Sequence, residues 1–183
     1  FSKTKKEELE GTMGSPMSEK ELSSKYGSLF NVVPSFGLEQ GTDDNGNPKF
    51  RRIDDHTAGW CNLTAHRKQK VPMTMTDYVL LLFKLQATRF ATENWPAADG
   101  QILSATEDMQ GAYRQVPLLP SQVSLAITAV YNPHEDTVEL REIFGQPFGA
   151  GHAVPNFCRF AEWLSRASCR LFKLVIGHFF DDF

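Results

Sequence analysis

Two short apolar runs in the second half of this chain each end in acid. Residues 102–106 run Ile-Leu-Ser-Ala-Thr into Glu107 and Asp108, and residues 172–180 run through Phe179-Phe180 into the adjacent pair Asp181-Asp182. A short apolar run bounded in this way reads as a buried strand that delivers a carboxylate at its end. Between the two, residues 122–131 and 137–144 read as strands joined by a turn over Asn132, Pro133, His134, Glu135 and Asp136. Val154, Phe157, Phe160, Ala161, Leu164, Ala167, Ser168 and Leu171 then recur at helical spacing. This order of elements suits an α+β fold, an antiparallel sheet backed by helices.

The first half carries its own punctuation. Residues 1–17 are charged and then contain Gly and Pro, so they read as poorly ordered. Ser18 with Glu21 forms a capping box that opens a short helix over 18–26, which Gly27 ends. Residues 28–42 carry no clear pattern. Asp44-Asn45-Gly46-Asn47 is a hairpin turn signal, because Asn-Gly tolerates positive φ. Lys49 to Ile53 follows as the returning strand. Residues 74–90 read as a helix capped by Thr76, with Val79, Leu82, Phe83, Leu85 and Phe90 on a broad apolar face. Residues 93–100 and 145–151 read as loops.

Composition narrows the class. At 183 residues and 41% apolar content the chain is long enough for one domain with a core, or for two subdomains. A net charge of −3 gives no global basic footprint for nucleic acid. Arg51, Arg52, Arg67, Lys68 and Lys70 supply a local basic patch instead. Cys61, Cys158 and Cys169 have neither disulfide-framework nor zinc-knuckle spacing, which points to a reducing, intracellular setting (cytoplasm or nucleus). The longest apolar run, residues 79–83, is too short to span a bilayer, and no signal peptide is visible, so no membrane partner is expected. The five histidines show no metal-ligand spacing, and Gly145 to Gly149 lacks the Lys-Ser/Thr of a phosphate loop.

Carboxylates at separate strand ends are what two-metal chemistry requires. Mg²⁺ takes oxygen ligands, and a pair of ions clamps the attacking and leaving oxygens of an in-line displacement. Four blocks make that reading specific. Asp108 is followed by Met109, Gln110, Gly111, Ala112, Tyr113, Arg114, Gln115, Val116 and Pro117. A second block runs Gln146-Pro147-Phe148-Gly149-Ala150-Gly151, with Phe157 eight residues after Gly149. The third is Phe179-Phe180-Asp181-Asp182, and upstream lies Arg51-Arg52-Ile53-Asp54-Asp55 with Asn62. In this order the blocks resemble the fingers and palm of retroelement reverse transcriptases. Phe179 stands where Tyr is common, and Ala153-Val154 replaces a small-residue–Pro pair.

The resemblance implies a polymerase palm-like sheet with partial fingers. Residues 1–48 would be an N-terminal extension, 49–100 fingers-like, and 101–183 palm-like. The chain also begins at Phe1 and stops after the acid pair, so the strand after that pair, the thumb and any ribonuclease domain are expected to lie outside it. The chain alone is therefore expected to be inactive. By resemblance, Asp108 and Asp181 bind two Mg²⁺ (or Mn²⁺) ions with the Met109 carbonyl, and Asp182 supports them. Arg51, helped by Lys49, holds the triphosphate of a deoxynucleotide. Tyr113 lies under the sugar and excludes a 2′-hydroxyl; Gly111 and Ala112 allow close backbone approach, and Phe148 and Gly149 pack on the nucleotide and the RNA or DNA template-primer. Each has a plainer reading: a solvated turn for Asp181-Asp182, a strand-end acid for Asp108, a core ring for Tyr113, an ordinary turn for Phe148-Gly149, a surface ion pair for Arg51. Asp55 and Asn62 read as residues that orient the loop, and the arginines flanking Asp54-Asp55 point to ion pairs. An RNA-dependent RNA polymerase and a non-catalytic, nucleic-acid-binding relic are the alternatives.

Overall fold

A computed structural model describes residues 1–42, 45–64, 76–93, 105–172 and 174–178. The chain divides into two compact units, one of Phe1–Lys68 and Tyr113–Val154, the other of Gln69–Ala112 and Pro155–Phe183.

The first unit is built on a four-stranded sheet in the order β2-β1-β3-β4, formed by β1 (Val32–Thr42), β2 (Pro48–Asp54), β3 (Ile127–Asn132) and β4 (Thr137–Glu142). β1 and β2 form the hairpin expected at Asn45-Gly46, and Gly46 has the positive φ (+80°) that such a turn needs. β3 and β4 pair antiparallel through the expected turn, where Asp136 takes a φ of +53°. The sheet is nonetheless mixed, not purely antiparallel, because Val32, Val33 and Pro34 pair in parallel with Ile127, Thr128 and Ala129. The protein is therefore α+β, with helices against a mixed sheet.

Two helices precede the sheet, and the one-turn helices α3 (Cys61–Thr64) and α5 (Ala112–Gln115) come later in the chain. In α2 (Glu19–Tyr26) the Ser18 hydroxyl accepts the Glu21 N–H at 3.2 Å, and the Glu21 carboxylate accepts the Ser18 N–H at 2.7 Å. Gly27 ends it at φ +64°, and Leu22 seals its inner face. α1 (Ser2–Leu9) falls in the stretch read as poorly ordered. It is ordered through charge: Glu7 is buried and Glu8 ion-pairs with the buried Arg141 at 2.8 Å. The chain then runs along the outer edge of β4. Met13 and Met17 bridge to Ile143 and Leu140, and the Gly14 N–H donates to the Glu142 carbonyl at 2.8 Å. These bonds cover part of an edge that would otherwise offer unpaired backbone. Met13, Ala126 and Ile143 pack together beneath it with Leu118.

In the second unit, α4 (Thr76–Glu93) occupies the place its periodicity predicts. Leu82 and Phe83 are half-buried, whereas Val79 and Leu85 of the predicted apolar face are exposed. α6 (Ala153–Phe172) also follows its predicted spacing: Phe157, Ala161 and Ser165, one turn apart, are all buried. The strand expected over 172–180 does not form among its described residues. Phe172 ends α6, and 174–178 join no ladder. An apolar run becomes a strand only where a neighbour completes its ladder, and residues 174–178 meet none among the described residues. Of the strand expected over 102–106, only 105 and 106 are described, and neither is in a strand. No helix among the described residues is long and apolar enough to cross a membrane.

Candidate functional site

β2 presents alternate residues to opposite faces, so Lys49 and Arg51 lie on one side and Arg52 and Asp54 on the other. The first two are exposed. Arg52 and Asp54 enter a closed ring of alternating charge. Arg52 Nη2 meets Glu7 Oε2 at 2.6 Å, and Arg52 Nε lies 3.2 Å from Asp54 Oδ1, an ion pair without hydrogen-bond geometry. Arg114 Nη2 donates to Asp54 Oδ2 at 2.9 Å, and Arg114 Nε lies 3.8 Å from Glu7 Oε1. The Ser35 and Thr128 hydroxyls also donate to Asp54 Oδ1. Burial pushes the Asp54 carboxyl up, but the two guanidiniums and two hydroxyls outweigh it and hold it below the usual range.

Above this ring, residues from three sequence blocks meet. The Tyr113 ring stands edge-on to Phe148, with centroids 4.8 Å apart and planes at 71°. The Arg51 guanidinium lies over the same Phe148 ring at 5.4 Å, and that of Arg114 at 6.0 Å. Gly149 follows at φ +88°, and a Cβ there would stand 2.8 Å from the Asp54 carbonyl oxygen. Only glycine fits so close to β2.

The loop that carries Phe148 is fixed at both ends. Before it, the Leu118 N–H donates to the Phe144 carbonyl at 2.7 Å and the Gln146 N–H to the Val116 carbonyl at 2.8 Å. Gly145 passes so close to the Arg114 backbone that a Cβ would lie 2.2 Å from its carbonyl oxygen. After it, Asn62 clamps the turn: its Nδ2 donates to the Gly149 carbonyl at 3.0 Å, and its Oδ1 accepts the Gly151 N–H at 2.6 Å. Asp55 Oδ1 accepts the N–H groups of Thr57 and Ala58, forming the turn that leads to Asn62. Asp55 and Asn62 thus orient the loop, as read from the sequence; of the two flanking arginines expected as ion-pair partners, Arg52 meets Asp54, and its second partner is the distant Arg114.

Asp108, Met109, Gly111 and Ala112 belong to the second unit. Asp108 is exposed and Gly111 adopts φ +64°. The Met109 carbonyl accepts the Ala112 N–H at 3.1 Å, which leaves one lone pair for another partner. Asp181 and Asp182 lie outside the described residues. Among the described residues no group of three or more His, Cys, Asp or Glu side chains is placed to hold a metal ion. The oxygen donors that are described, one carboxylate and one carbonyl, suit part of the shell of a hard cation such as Mg²⁺.

Two members of the ring went unrecognised in the sequence. Glu7 sits in a segment that reads as solvated, and Arg114 reads as one more charge beside Tyr113. Neither carries a local signal, because each is defined by partners more than 40 positions away. No protein-family model matches this chain, and no curated protein sequence matches it.

Proposed function

We propose that the chain carries the nucleotide-binding portion of a template-directed DNA polymerase of the reverse-transcriptase kind. What supports this reading is the meeting of Arg51, Tyr113, Phe148 and Gly149, which lie in three separate sequence blocks and share one expected role. The chemistry would be attack of a primer 3′-hydroxyl on the α-phosphate of a deoxynucleotide, with release of pyrophosphate. Arg51 is exposed beside the aromatic pair, where its planar guanidinium can fork onto phosphate oxygens. Lys49, on the same face, adds a second positive charge. Arg114 has a different task, because its charge is spent on Asp54 and Glu7. Tyr113, braced by Phe148, would meet the sugar edge and reject a 2′-hydroxyl by collision. Asp108 and Asp181, with the Met109 carbonyl and Asp182 beside them, would hold two Mg²⁺ or Mn²⁺ ions, which when bound supply charge stabilisation to the reacting phosphate.

The test is binding of dTTP with Mg²⁺, followed by calorimetry, together with primer extension on an RNA template by a polypeptide continued past Phe183. Loss of charged phosphate bonds in Arg51→Ala is expected to weaken dTTP by about 10- to 100-fold. Asp108→Asn and Asp181→Asn are each expected to abolish extension, and Tyr113→Ala to let UTP compete with dTTP. Equal dTTP binding by Arg51→Ala and the unaltered chain would overturn the phosphate role. Binding without extension in the longer polypeptide would favour a non-catalytic nucleic-acid-binding role, and preference for ribonucleotides an RNA polymerase.

A further inference from the structure

The first unit also contains a cavity of about 420 Å³, within the range of small-molecule sites. Pro147, next to Phe148 in the loop, forms one wall, so the cavity and the Arg51–Tyr113 cluster share that loop without sharing a residue. Its polar lining is Asn31, His56, Gln122, His152 and Cys61, and the rest is apolar. Among the described residues no lysine, arginine, aspartate or glutamate lines it. Burial pulls the His56 imidazole below its usual range, and partial burial does the same at His152, so neither carries charge at neutral pH. Burial also pushes the Cys61 thiol up, which keeps it protonated. The described lining is therefore neutral, and among the described residues no three His and Cys side chains are placed to hold a metal ion. A charged ligand would lose its hydration here and find no counter-charge among the described lining residues.

His56 gives the cavity its direction. It is 2% exposed, and neither Nδ1 nor Nε2 meets a hydrogen-bond partner among the described residues. A neutral imidazole carries one donor and one acceptor, and buried polar groups of this kind are nearly always paired. Its backbone is pinned on both sides, so the ring can reach a partner only within the sweep of its own χ1 and χ2. The His56 N–H donates to the Asp54 carbonyl at 3.0 Å, and the His56 carbonyl accepts the Asn62 N–H at 3.2 Å. Trp60 borders the same space. It is 72% exposed, and its φ of +64° is one that a bulky residue adopts only when its surroundings force it. The forcing contacts are the Trp60 N–H to the Thr57 carbonyl at 3.0 Å and the Leu63 N–H to the Trp60 carbonyl at 3.1 Å. They hold an indole at the rim, where a flat ring can stack on it.

We propose that this cavity binds a small, uncharged, planar heterocycle that carries both a hydrogen-bond donor and an acceptor, one of which meets a ring nitrogen of His56. The site is independent of nucleotidyl transfer, so a failure of one reading leaves the other standing.

The test uses the whole chain and four probes of similar size: benzimidazole, its nitrogen-free isostere indene, benzoate and benzamidine. Binding is followed by amide chemical shifts and by thermal denaturation. Benzimidazole is expected to bind saturably, with the largest shifts at residues 56–62 and 147–152. Indene is expected to bind about tenfold more weakly, and the two charged probes not at all. His56→Phe, which keeps the ring but removes both nitrogens, should weaken benzimidazole by about tenfold. His56→Gln, which restores a donor and an acceptor, should recover it to within about threefold. Should His56→Phe not fold, Leu125→Trp at the exposed rim fills the cavity instead and should abolish binding. Indene binding as well as benzimidazole, tighter binding of either charged probe, or no saturable binding by any probe would overturn the proposal.

Discussion

Replacing Asp54 with Asn tests the charged ring on which the candidate site stands. The side chain keeps its shape but loses its charge, and Glu7 is left alone to neutralise two guanidiniums. Asp54 is 2% exposed, so water cannot compensate. Removing one partner of a buried ion pair costs about 3–5 kcal/mol, because the other charge stays buried and unpaired. Against a typical domain stability of about 5–15 kcal/mol, that is a large share. At this chain length it lowers the melting temperature by roughly 6–20 °C. Asp54→Asn combined with Arg114→Gln removes one acid and one base and leaves the Arg52–Glu7 pair, at 2.6 Å, charge-balanced. The double variant should therefore lose about 1–3 kcal/mol less than the sum of the singles. The pH dependence has a definite sign. The folded-state pKa of Asp54 is depressed, so its contribution is complete above the unfolded value of about 3.9 and is lost as pH falls through the lower folded value. Urea titrations at pH 7 and pH 3, followed by circular dichroism, measure all of this. A cost under about 1 kcal/mol for Asp54→Asn at pH 7, or strict additivity in the double variant, would refute the claim that the ring acts as a buried, coupled unit.

Three further outcomes follow from the same contacts. Gly149→Ala puts a Cβ 2.8 Å from the Asp54 carbonyl oxygen at φ +88°, and should cost about 1–3 kcal/mol in urea unfolding and weaken dTTP. Asn62→Ala leaves the Gly149 carbonyl and the Gly151 N–H without their clamp, and should cost about 1–3 kcal/mol and speed amide exchange across 148–151. Because burial depresses His56 in the fold, stability should be complete above the unfolded histidine value of about 6.5 and decline as pH falls below it. His56→Gln should flatten that decline in thermal melts between pH 7 and pH 5.

Elements defined by their own residues were legible in the sequence. The α2 capping box needs only Ser18, Glu21 and Gly27, and the β1–β2 turn needs only Asn45-Gly46. The stripe on α6 is a property of α6 alone. β1 was not legible, because Pro34, Gly37 and Gly41 interrupt any alternating pattern. It is a strand because β2 and β3 pair with it on either side, and one of those pairings is parallel. α1 was hidden for a different reason. Its anchors are Glu7 and Glu8, and a charged residue reads as solvated until its partner is known. Those partners, Arg52 and Arg141, lie in strands far along the chain.

The contrast between Arg51 and Arg52 shows where sequence reasoning about the site stops. A strand must send two adjacent arginines to opposite faces, so one of the pair is expected to be free for a ligand and the other not. Which one is free depends on register. Ser35 sits opposite Asp54 and Gly37 opposite Arg52, which turns Arg52 and Asp54 toward Glu7, Thr128 and Arg114. A slip of one residue would bury Arg51 and expose Arg52. The ring therefore does more than stabilise the unit. It pins the register of β2, and with it the choice of Arg51 as the guanidinium presented beside Phe148 and Tyr113. Neutralising the ring should thus weaken dTTP binding even though none of its four members faces the proposed nucleotide. Asp54→Asn with unaltered dTTP affinity, in a chain that remains folded, would separate the two roles and show that another constraint sets the register.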